Sequence, residues 1–263
     1  MKLLESPKSA LVVCFDLDDT LIETRSRYNL SFHRSAAYCI KALGNYVPLG
    51  SELIKRVEEI DTTLIPVMGY SPERFVTAWS MFYREICSEH GLHVQEQDLL
   101  ELRKCSRAFQ DGNYKRLPDV DHVLPKVSAD RDVFIVTIGE AVLQRSKMID
   151  SVIKNTFGTR YTTKSDLRED THIFICENDK TVVLKNLVKR LQDRKVPSRV
   201  VMVGDSLKND IASAKKAGAI AVHIPTPGHW KNDDADVLPN YTLKSIKDLP
   251  ELLDSIEKEM LVG

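Results

Sequence analysis

The 263-residue chain lacks the sequence features that are typical of secreted, membrane-spanning and disulfide-stabilised proteins. The longest apolar run, Ala10–Phe15, is far shorter than the roughly 20 apolar residues that a membrane span requires. Residues 1–7 carry no apolar signal-peptide core, so we expect a soluble protein of the cytoplasm. The cysteines are odd in number, scattered and without a CxxC pair, which argues against a disulfide framework and a zinc site: Cys14, Cys39, Cys87, Cys105 and Cys176.

The chain also lacks an excess of charge of either sign. Its 37 Lys and Arg residues nearly cancel its 38 Asp and Glu residues. Without a global basic field, we expect neither nucleic acid nor an anionic membrane as a partner. The hydrophobic fraction of 43% and the charged fraction of 29% are those of an ordinary globular protein, and the length suits one large domain or two unequal ones.

Short apolar runs alternate with helical patterns over much of the chain, which predicts an α/β fold with a doubly wound, Rossmann-like parallel sheet. The predicted strands are Ala10–Phe15, Val133–Val136, Ile173–Cys176, Val200–Val203 and Ala219–Ile224. The predicted helices between them are Glu140–Ile153, Lys180–Leu191 and Asn209–Ala217, the last of which ends at Gly218. In the first of these helices, the apolar spacing predicts a buried face containing Val142, Leu143, Ser146 and Ile149.

Residues 23–115 interrupt this alternation with four helical patterns and no convincing strand. The patterns cover Arg27–Leu43, Ser51–Ile65 with Ser51 as its cap, a helix that starts at Ser71-Pro72, and Asp98–Phe109. In the third pattern, an apolar stripe is spaced as a helix-bundle core: Phe75, Ala78, Trp79, Phe82 and Ile86. A parallel crossover needs only a dozen or so residues, so we expect an inserted helical domain at 23–115 and an α/β core from 1–22 and 116–263.

Polar side chains follow several of the predicted strands, where ligands of open α/β sheets bind. They are Asp16, Asp18 and Thr20 after the first strand, Thr137 after the second, Lys180 beyond the third, and Gly204-Asp205 with Asp210 after the fourth. Carboxylates, a hydroxyl and a lysine at one sheet edge provide what phosphoryl transfer requires: a nucleophile, metal ligands and fixed donors to the phosphate oxygens.

The order and spacing of these motifs closely resemble those of the haloacid dehalogenase-like superfamily of hydrolases, whose cap domain in one branch occupies the place of the helical insert. The resemblance implies that Asp16 is the nucleophile and that Asp18 is the general acid/base. It implies a Mg²⁺ site formed by the Asp16 and Asp205 carboxylates and the Asp18 backbone carbonyl. The phosphoryl group would be bound by Thr137, Ile138 and Lys180. The supporting residues would be Thr20, Gly204 and Asp210, of which Asp210 would hold Lys180 or a metal-bound water.

Two positions depart from the pattern of the family that this chain resembles. Ile138 stands where Asn is frequent, so a side-chain contact to phosphate is replaced by the backbone N–H. Lys180 is followed by Thr181 where Pro is common, and other lysines lie in the same interval: Lys154, Lys164 and Lys185. We favour Lys180 because it starts a helix directly after a strand end.

The resemblance predicts a magnesium-dependent phosphatase that hydrolyses small-molecule phosphomonoesters through an aspartyl-phosphate. Dehalogenases that resemble this chain lack a carboxylate at the position of Asp18, so its presence favours phosphate esters. The alternatives are a sugar phosphomutase, which shares every core residue, a non-catalytic phosphate-binding member of the fold, and a phosphorylatable signalling module. The last of these needs neither Asp18 nor the helical insert.

Overall fold

The computed structural model of the chain describes residues 9–158, 161–163, 171–192, 198–226 and 236–262. The chain divides into two compact units. One unit comprises Met1–Glu23 and Asn113–Gly263, and the other comprises Thr24–Gly112. Among the described residues, no helix is both long and apolar enough to cross a membrane.

The first unit contains a parallel sheet of seven strands, which confirms the predicted doubly wound fold. The strands are β1 (Leu11–Phe15), β2 (Asp132–Ile138), β3 (Tyr161–Thr162), β4 (Ile173–Cys176), β5 (Arg199–Gly204), β6 (Ile220–His223) and β7 (Tyr241–Thr242). They are ordered β3-β4-β2-β1-β5-β6-β7, and all neighbouring pairs are parallel. The central strand β1 lies between β2 and β5, where the order of the strands reverses direction.

Helices cover both faces of this sheet and, with short 3₁₀ turns and connecting loops, form the second unit in the described residues. They are α1 (Arg25–Leu43), α2 (Ser51–Met68), α3 (Pro72–Glu89), α4 (Glu96–Arg107), α5 (Val120–Asp130), α6 (Ala141–Asp150), α7 (Lys154–Phe157), α8 (Thr181–Gln192), α9 (Ala212–Ala217) and α10 (Leu249–Val262).

Both faces of β1 are buried, which explains its uninterrupted apolar sequence. Leu11, Val13 and Phe15 belong to the core cluster that includes residues of α5, α7 and α10. Val12 and Cys14 point the other way and join the cluster formed with α8 and α9. Because successive side chains of a strand alternate between faces, a strand covered on both sides needs apolar residues at every position.

The helical unit has its own core. The predicted stripe on α3 is buried, and Trp79 of this stripe makes edge contacts with Phe75 and Phe82. Polar groups join three of its helices as well, because the Asp98 carboxylate of α4 accepts hydrogen bonds from the hydroxyls of Tyr38 on α1 (2.8 Å) and Tyr83 on α3 (2.6 Å). The predicted cap of α2 is wrong: Gly50 occupies the N-cap position and Ser51 is the first helical residue.

The segments that leave and re-enter the α/β unit pair with each other. Glu23 donates its backbone N–H to the carbonyl of Lys115 (2.8 Å), and Ile22 forms an antiparallel bridge with Arg116. These contacts place both segments in the α/β unit, so the helical unit begins at Thr24 and ends at Gly112.

The face that the apolar spacing predicts for α6 is wrong. Val142 is 72% exposed and Ile149 is 46% exposed. The buried side chains of this helix are instead Gln144, Lys147 and Met148. Periodicity identified the helix, but the buried face carries two polar residues whose partners lie at the carboxyl edge of the sheet.

Candidate active site

The carboxyl end of β1 forms the centre of the site. Asp16 follows Phe15 directly and donates its backbone N–H to the carbonyl of Val203 in β5 (2.9 Å). On the other side, Phe15 is in register with Ile135 of β2, two residues before Thr137. The parallel register therefore places the ends of β1, β2 and β5 together, and the side chain of Asp16 is buried there.

Lys180 connects two of the carboxylates at this edge. Its Nζ donates to Asp16 Oδ1 and, over 2.6 Å, to Asp210 Oδ1, and the lysine side chain is almost fully buried. Burial disfavours the ammonium, but the attraction of Asp16 and Asp210 outweighs it and raises the pKa of Lys180 above its usual value. Lys180 is therefore a fixed positive charge beside Asp16.

The start of α8 sets the position of Lys180. The preceding residue, Asp179, accepts hydrogen bonds from the backbone N–H and the hydroxyl of Thr181 (2.9 and 2.7 Å) and from the Ser213 hydroxyl (3.0 Å). Of the other lysines considered, Lys185 is exposed and Lys154 half-buried, while Lys164 lies outside the described residues. The contacts with Asp16 and Asp210 thus distinguish Lys180 from the two that are described.

Asp210 lies in an irregular helical turn after β5. Leu207–Ile211 is a π-helix, a form that is frequent at functional sites, and Asp210 Oδ2 accepts the backbone N–H of Ser206 (3.0 Å). A Cβ atom on Gly204 would lie 2.1 Å from that same Oδ2. Glycine at 204 therefore leaves the space that the Asp210 carboxylate occupies, which gives the Gly204-Asp205 motif a steric reason.

Asp205 is held from two sides. Its Oδ2 accepts a hydrogen bond from the Thr226 hydroxyl (2.9 Å), and its backbone carbonyl lies 2.9 Å from His223 Nε2, which acts as the donor because a carbonyl can only accept. Burial raises the pKa of Asp205 well above its usual value, and the nearby Asp210 and Asp16 carboxylates raise it further. The Asp205 carboxylate is therefore fixed close to two other carboxylates, those of Asp16 and Asp210.

Asp16, Asp205 and Asp210 together form a cluster suited to a hard cation. One oxygen from each lies within 4.8 Å of the others. Burial raises the pKa of Asp16, with Asp210 and Asp18 adding to the effect and Lys180 opposing it. A Mg²⁺ ion, which prefers oxygen ligands, would offset this concentration of negative charge. Asp16 and Asp205 are the two carboxylates that we predicted as metal ligands, and the cluster adds Asp210.

The Asp18 carboxylate forms contacts of its own rather than joining this cluster. Its Oδ1 lies 2.8 Å from Lys147 Nζ, and its Oδ2 accepts a hydrogen bond of 2.8 Å from Gln144 Nε2. The same amide nitrogen lies 2.7 Å from Thr137 Oγ1 and 3.0 Å from the Ile138 carbonyl. Asp18, Thr137 and Ile138 are thus brought together through Gln144, a residue that our sequence analysis did not identify.

The last of the predicted supporting residues, Thr20, lies in the turn after Asp16. Ile22 donates its backbone N–H to the Leu17 carbonyl (3.0 Å), and Asp19 adopts a positive φ of 56° within this turn. Thr20 is buried, and its hydroxyl finds no hydrogen-bond partner among the residues that the structure describes. Its place indicates a role in the turn that follows Asp16, since its hydroxyl makes no hydrogen bond to the carboxylates of the described residues.

We predict that magnesium stabilises the protein through the acidic cluster. Wild-type protein should show a higher melting temperature in millimolar Mg²⁺ than in chelator, because a cation that binds only the folded state shifts the unfolding equilibrium. Asp205→Asn removes one negative charge and one ligand, so this increment should disappear while the metal-free protein stays at least as stable. Calorimetry checks both values.

The matched control is Asp130→Asn, which removes an exposed carboxylate from the end of α5 in the same unit. It should retain the full magnesium increment. An undiminished increment in Asp205→Asn would show that the cation binds elsewhere.

A family model described as haloacid dehalogenase-like hydrolase matches residues 11–218 of the chain. Among curated proteins, a haloacid dehalogenase-like hydrolase domain-containing protein of Arabidopsis thaliana is 39% identical over 62 residues. That match spans 22% of this chain and only 25% of the plant protein. It covers a short part of either chain, whereas the family model covers most of the α/β unit.

Solved structures resemble the chain over nearly its whole length. A haloacid dehalogenase-like hydrolase of Xanthomonas campestris has a TM-score of 0.72 at 16% identity, covering 97% of this chain and 95% of its own. The putative hydrolase YfnB of Bacillus subtilis, bound to magnesium, has a TM-score of 0.59 at 16% identity and coverages of 94% and 99%. A 2-haloacid dehalogenase of Pseudomonas syringae has a TM-score of 0.54 at 18% identity and coverages of 93% and 98%.

At these identities the structural likeness establishes the fold alone, and this fold agrees with the family model that covers residues 11–218. The chain is therefore a member of the haloacid dehalogenase-like hydrolases.

Proposed function

We propose that this hydrolase is a magnesium-dependent phosphatase that acts on small-molecule phosphomonoesters through an aspartyl-phosphate on Asp16. The observation that carries the proposal is the different surroundings of two nearby carboxylates. Asp16 is buried against Lys180, whereas Asp18 is partly exposed and held by Gln144 and Lys147. Two carboxylates in distinct environments suit two distinct chemical roles.

In the first step, an Asp16 oxygen attacks the phosphorus atom of the substrate. The bond between phosphorus and the leaving oxygen breaks, and Asp18, which enters this step in its protonated form, donates its proton to that oxygen. The contact of Asp16 Oδ1 with Lys180 orients the carboxylate, so that the other oxygen, Oδ2, is the one we assign as the nucleophile.

In the second step, Asp18 accepts a proton from a water molecule that attacks the phosphorus of the aspartyl-phosphate. The bond between phosphorus and Asp16 breaks, inorganic phosphate leaves, and both carboxylates return to their starting states. Asp18 thus serves as acid and then as base, which is why one carboxylate supports both halves of the reaction.

Fixed donors around the phosphoryl group complete the proposal. The Thr137 hydroxyl, the Ile138 N–H and the Lys180 ammonium would hold its oxygens. The carboxylates of Asp16 and Asp205 and the Asp18 backbone carbonyl would hold Mg²⁺, which would neutralise phosphate charge when bound. Asp210 keeps Lys180 in place through the 2.6 Å contact, so the ammonium does not have to reorganise during transfer.

Asp18 also separates this proposal from dehalogenation. Haloacid dehalogenases are among the solved structures that share the fold, so the fold alone does not choose between the two chemistries. A halide leaves without a proton, whereas the oxygen of an alkyl phosphate ester needs one. A carboxylate two residues after the nucleophile supports phosphoester hydrolysis.

We further propose that the helical unit, Thr24–Gly112, is the cap domain that selects the substrate, because it is inserted in the chain directly after the Asp16 motif. The five cysteines are free thiols, which suits a cytoplasmic location. The chain has no excess of basic charge, so we do not expect a nucleic-acid partner. The expected substrate is a small phosphorylated metabolite.

The direct test is a panel of phosphomonoesters assayed for free phosphate in Mg²⁺ and in chelator. We expect release only with Mg²⁺, and we expect Asp16→Asn to lower turnover by at least about 1,000-fold while it remains folded, because an amide forms no stable acyl phosphate. Turnover of Asp16→Asn near the wild-type rate would contradict the mechanism. Rearranged phosphoester with little free phosphate would favour the mutase alternative.

The role of Asp18 predicts a dependence on the leaving group. Asp18→Asn should lower kcat/KM, which reports phosphoryl transfer to Asp16, by about 100-fold or more for an alkyl phosphate and far less for an aryl phosphate, because aryl oxides leave without much help from a proton. Steady-state kinetics on glycerol phosphate and para-nitrophenyl phosphate measure both. Equal losses on the two substrates would argue against proton donation by Asp18.

The buried position of Lys180 predicts a large electrostatic contribution. Lys180→Ala should lower kcat by about 100- to 1,000-fold, the usual cost of a lost fixed donor. Lys185→Ala, on the exposed face of the same helix, is the matched control and should leave kcat nearly unchanged. The opposite ranking of the two variants would show that the wrong lysine is assigned.

A further inference from the structure

Two residues of α6 contact the two oxygens of the Asp18 carboxylate. Neither belongs to the motifs that define the family resemblance. Gln144 and Lys147 are three positions apart, so both side chains lie on one face of the helix. We propose that Gln144 and Lys147 are positioning residues that orient Asp18 for proton transfer and couple it to Thr137. This inference rests on the proposed phosphatase function.

The neighbours of Gln144 determine the direction of its hydrogen bonds. Its Nε2 lies within 3.0 Å of the Asp18 carboxylate, the Ile138 carbonyl and the Thr137 hydroxyl oxygen. A carboxylate and a carbonyl only accept, so the amide nitrogen must be the atom that faces them. The amide has two N–H bonds for three oxygens, so one N–H is shared between two of them. Because an amide nitrogen does not accept, Thr137 Oγ1 can only accept from it, which leaves the hydroxyl proton available to donate to a phosphoryl oxygen.

Lys147 is a buried partner of Asp18 and not a surface cation. Its side chain is 4% exposed, against 27% for Asp18, and its Nζ also lies 5.7 Å from the centre of the Tyr114 ring. The ammonium therefore stands on the protein side of the carboxylate, away from solvent. From this position Lys147 acts on a substrate through Asp18 and does not bind it directly.

The backbone before α6 is shaped for this arrangement. Gly139 has a φ of 144°, a region that favours glycine, and a Cβ atom there would lie 3.2 Å from Cδ of Gln144. Gln144 also donates its backbone N–H to the carbonyl of Glu140 (2.9 Å), so it belongs to the first turn of the helix. A glycine at the end of β2 thus lets the helix bring the amide close to Asp18 and Thr137.

Two donors on two oxygens fix the plane of the Asp18 carboxylate. Each oxygen keeps a second lone-pair direction, so the group still reaches a leaving oxygen or a water molecule. Removing either donor allows other side-chain rotamers, and fewer molecules then have the acid at the distance that proton transfer needs. Loss of positioning should therefore lower kcat and leave KM nearly unchanged.

The test uses Gln144→Leu and Lys147→Met in the full chain, with glycerol phosphate and para-nitrophenyl phosphate as substrates in Mg²⁺. We expect kcat on the alkyl ester to fall by about 10- to 100-fold in each variant, as is usual for residues that orient a catalytic group. For the aryl ester, kcat/KM, which reports phosphoryl transfer to Asp16, should fall much less, and KM for the alkyl ester should stay within about threefold. Lys147→Arg should recover part of the rate because it keeps the charge.

Combination with Asp18→Asn separates positioning from a general structural role. If Gln144 and Lys147 act through Asp18, each double variant should be no slower than Asp18→Asn alone. Arg145→Met is the matched control, since it removes a positive charge from the exposed side of the same helix and should keep wild-type kinetics. Additive losses, equal losses of kcat/KM on both esters, or a change confined to KM would overturn the proposal.

Thermal unfolding of each variant shows whether it is folded. If Gln144→Leu does not fold, Lys147→Met decides the test by itself, because this variant removes the donor to Asp18 Oδ1. The two proposals fail in different ways. Absence of phosphate release by wild-type protein, or full activity of Asp16→Asn, refutes the phosphatase. An active, Asp16-dependent enzyme with unaffected α6 variants refutes only the positioning role.

Discussion

The buried contact of Lys180 with Asp16 and Asp210 is the interaction on which the arrangement of the site depends. An isolated ammonium at this depth would be strongly unfavourable, and so would two carboxylates close together without a cation. The contact brings residues far apart in the sequence to one point, one after β1, one at the start of α8 and one in the π-helix after β5. Removal of the Lys180 ammonium leaves two carboxylates uncompensated in a buried place.

This constraint explains local features that are otherwise unrelated. Gly204 provides the space for the Asp210 carboxylate, since a Cβ would lie 2.1 Å from its oxygen. The Asp179 carboxylate accepts hydrogen bonds from Thr181 and Ser213, which fixes the helix start that carries Lys180. The excess of carboxylates over ammonium groups in this cluster is also what makes the site suitable for Mg²⁺. The same buried charges therefore fix the local structure of the site and make it suitable for the proposed chemistry.

The sequence predicted the sheet well because buried parallel strands are apolar at every position. Each of the five predicted strands overlaps one of the strands in the structure, whereas β3 and β7, with two residues each, are too short to give a pattern. The buried side of α6 was predicted wrongly, since Val142 and Ile149 are exposed and Gln144 and Lys147 are buried. Hydrophobic periodicity assumes that the buried face is apolar, and this assumption fails where a helix faces polar groups.

That failure shows why the sequence did not reveal Gln144 and Lys147. Motif spacing points to residues at strand ends, and so to Asp16, Thr137, Lys180 and Asp205, but it contains no information about a helix that approaches those ends from the side. In α6 the usual distribution is inverted: a valine and an isoleucine are exposed, whereas a glutamine and a lysine three positions apart are buried on the opposite face. Burial of a lysine costs free energy unless it is paired, so such an inversion needs a buried acceptor. Lys147 finds this acceptor in Asp18, 2.8 Å away, whose place in the proposed reaction gives the burial of Lys147 a reason.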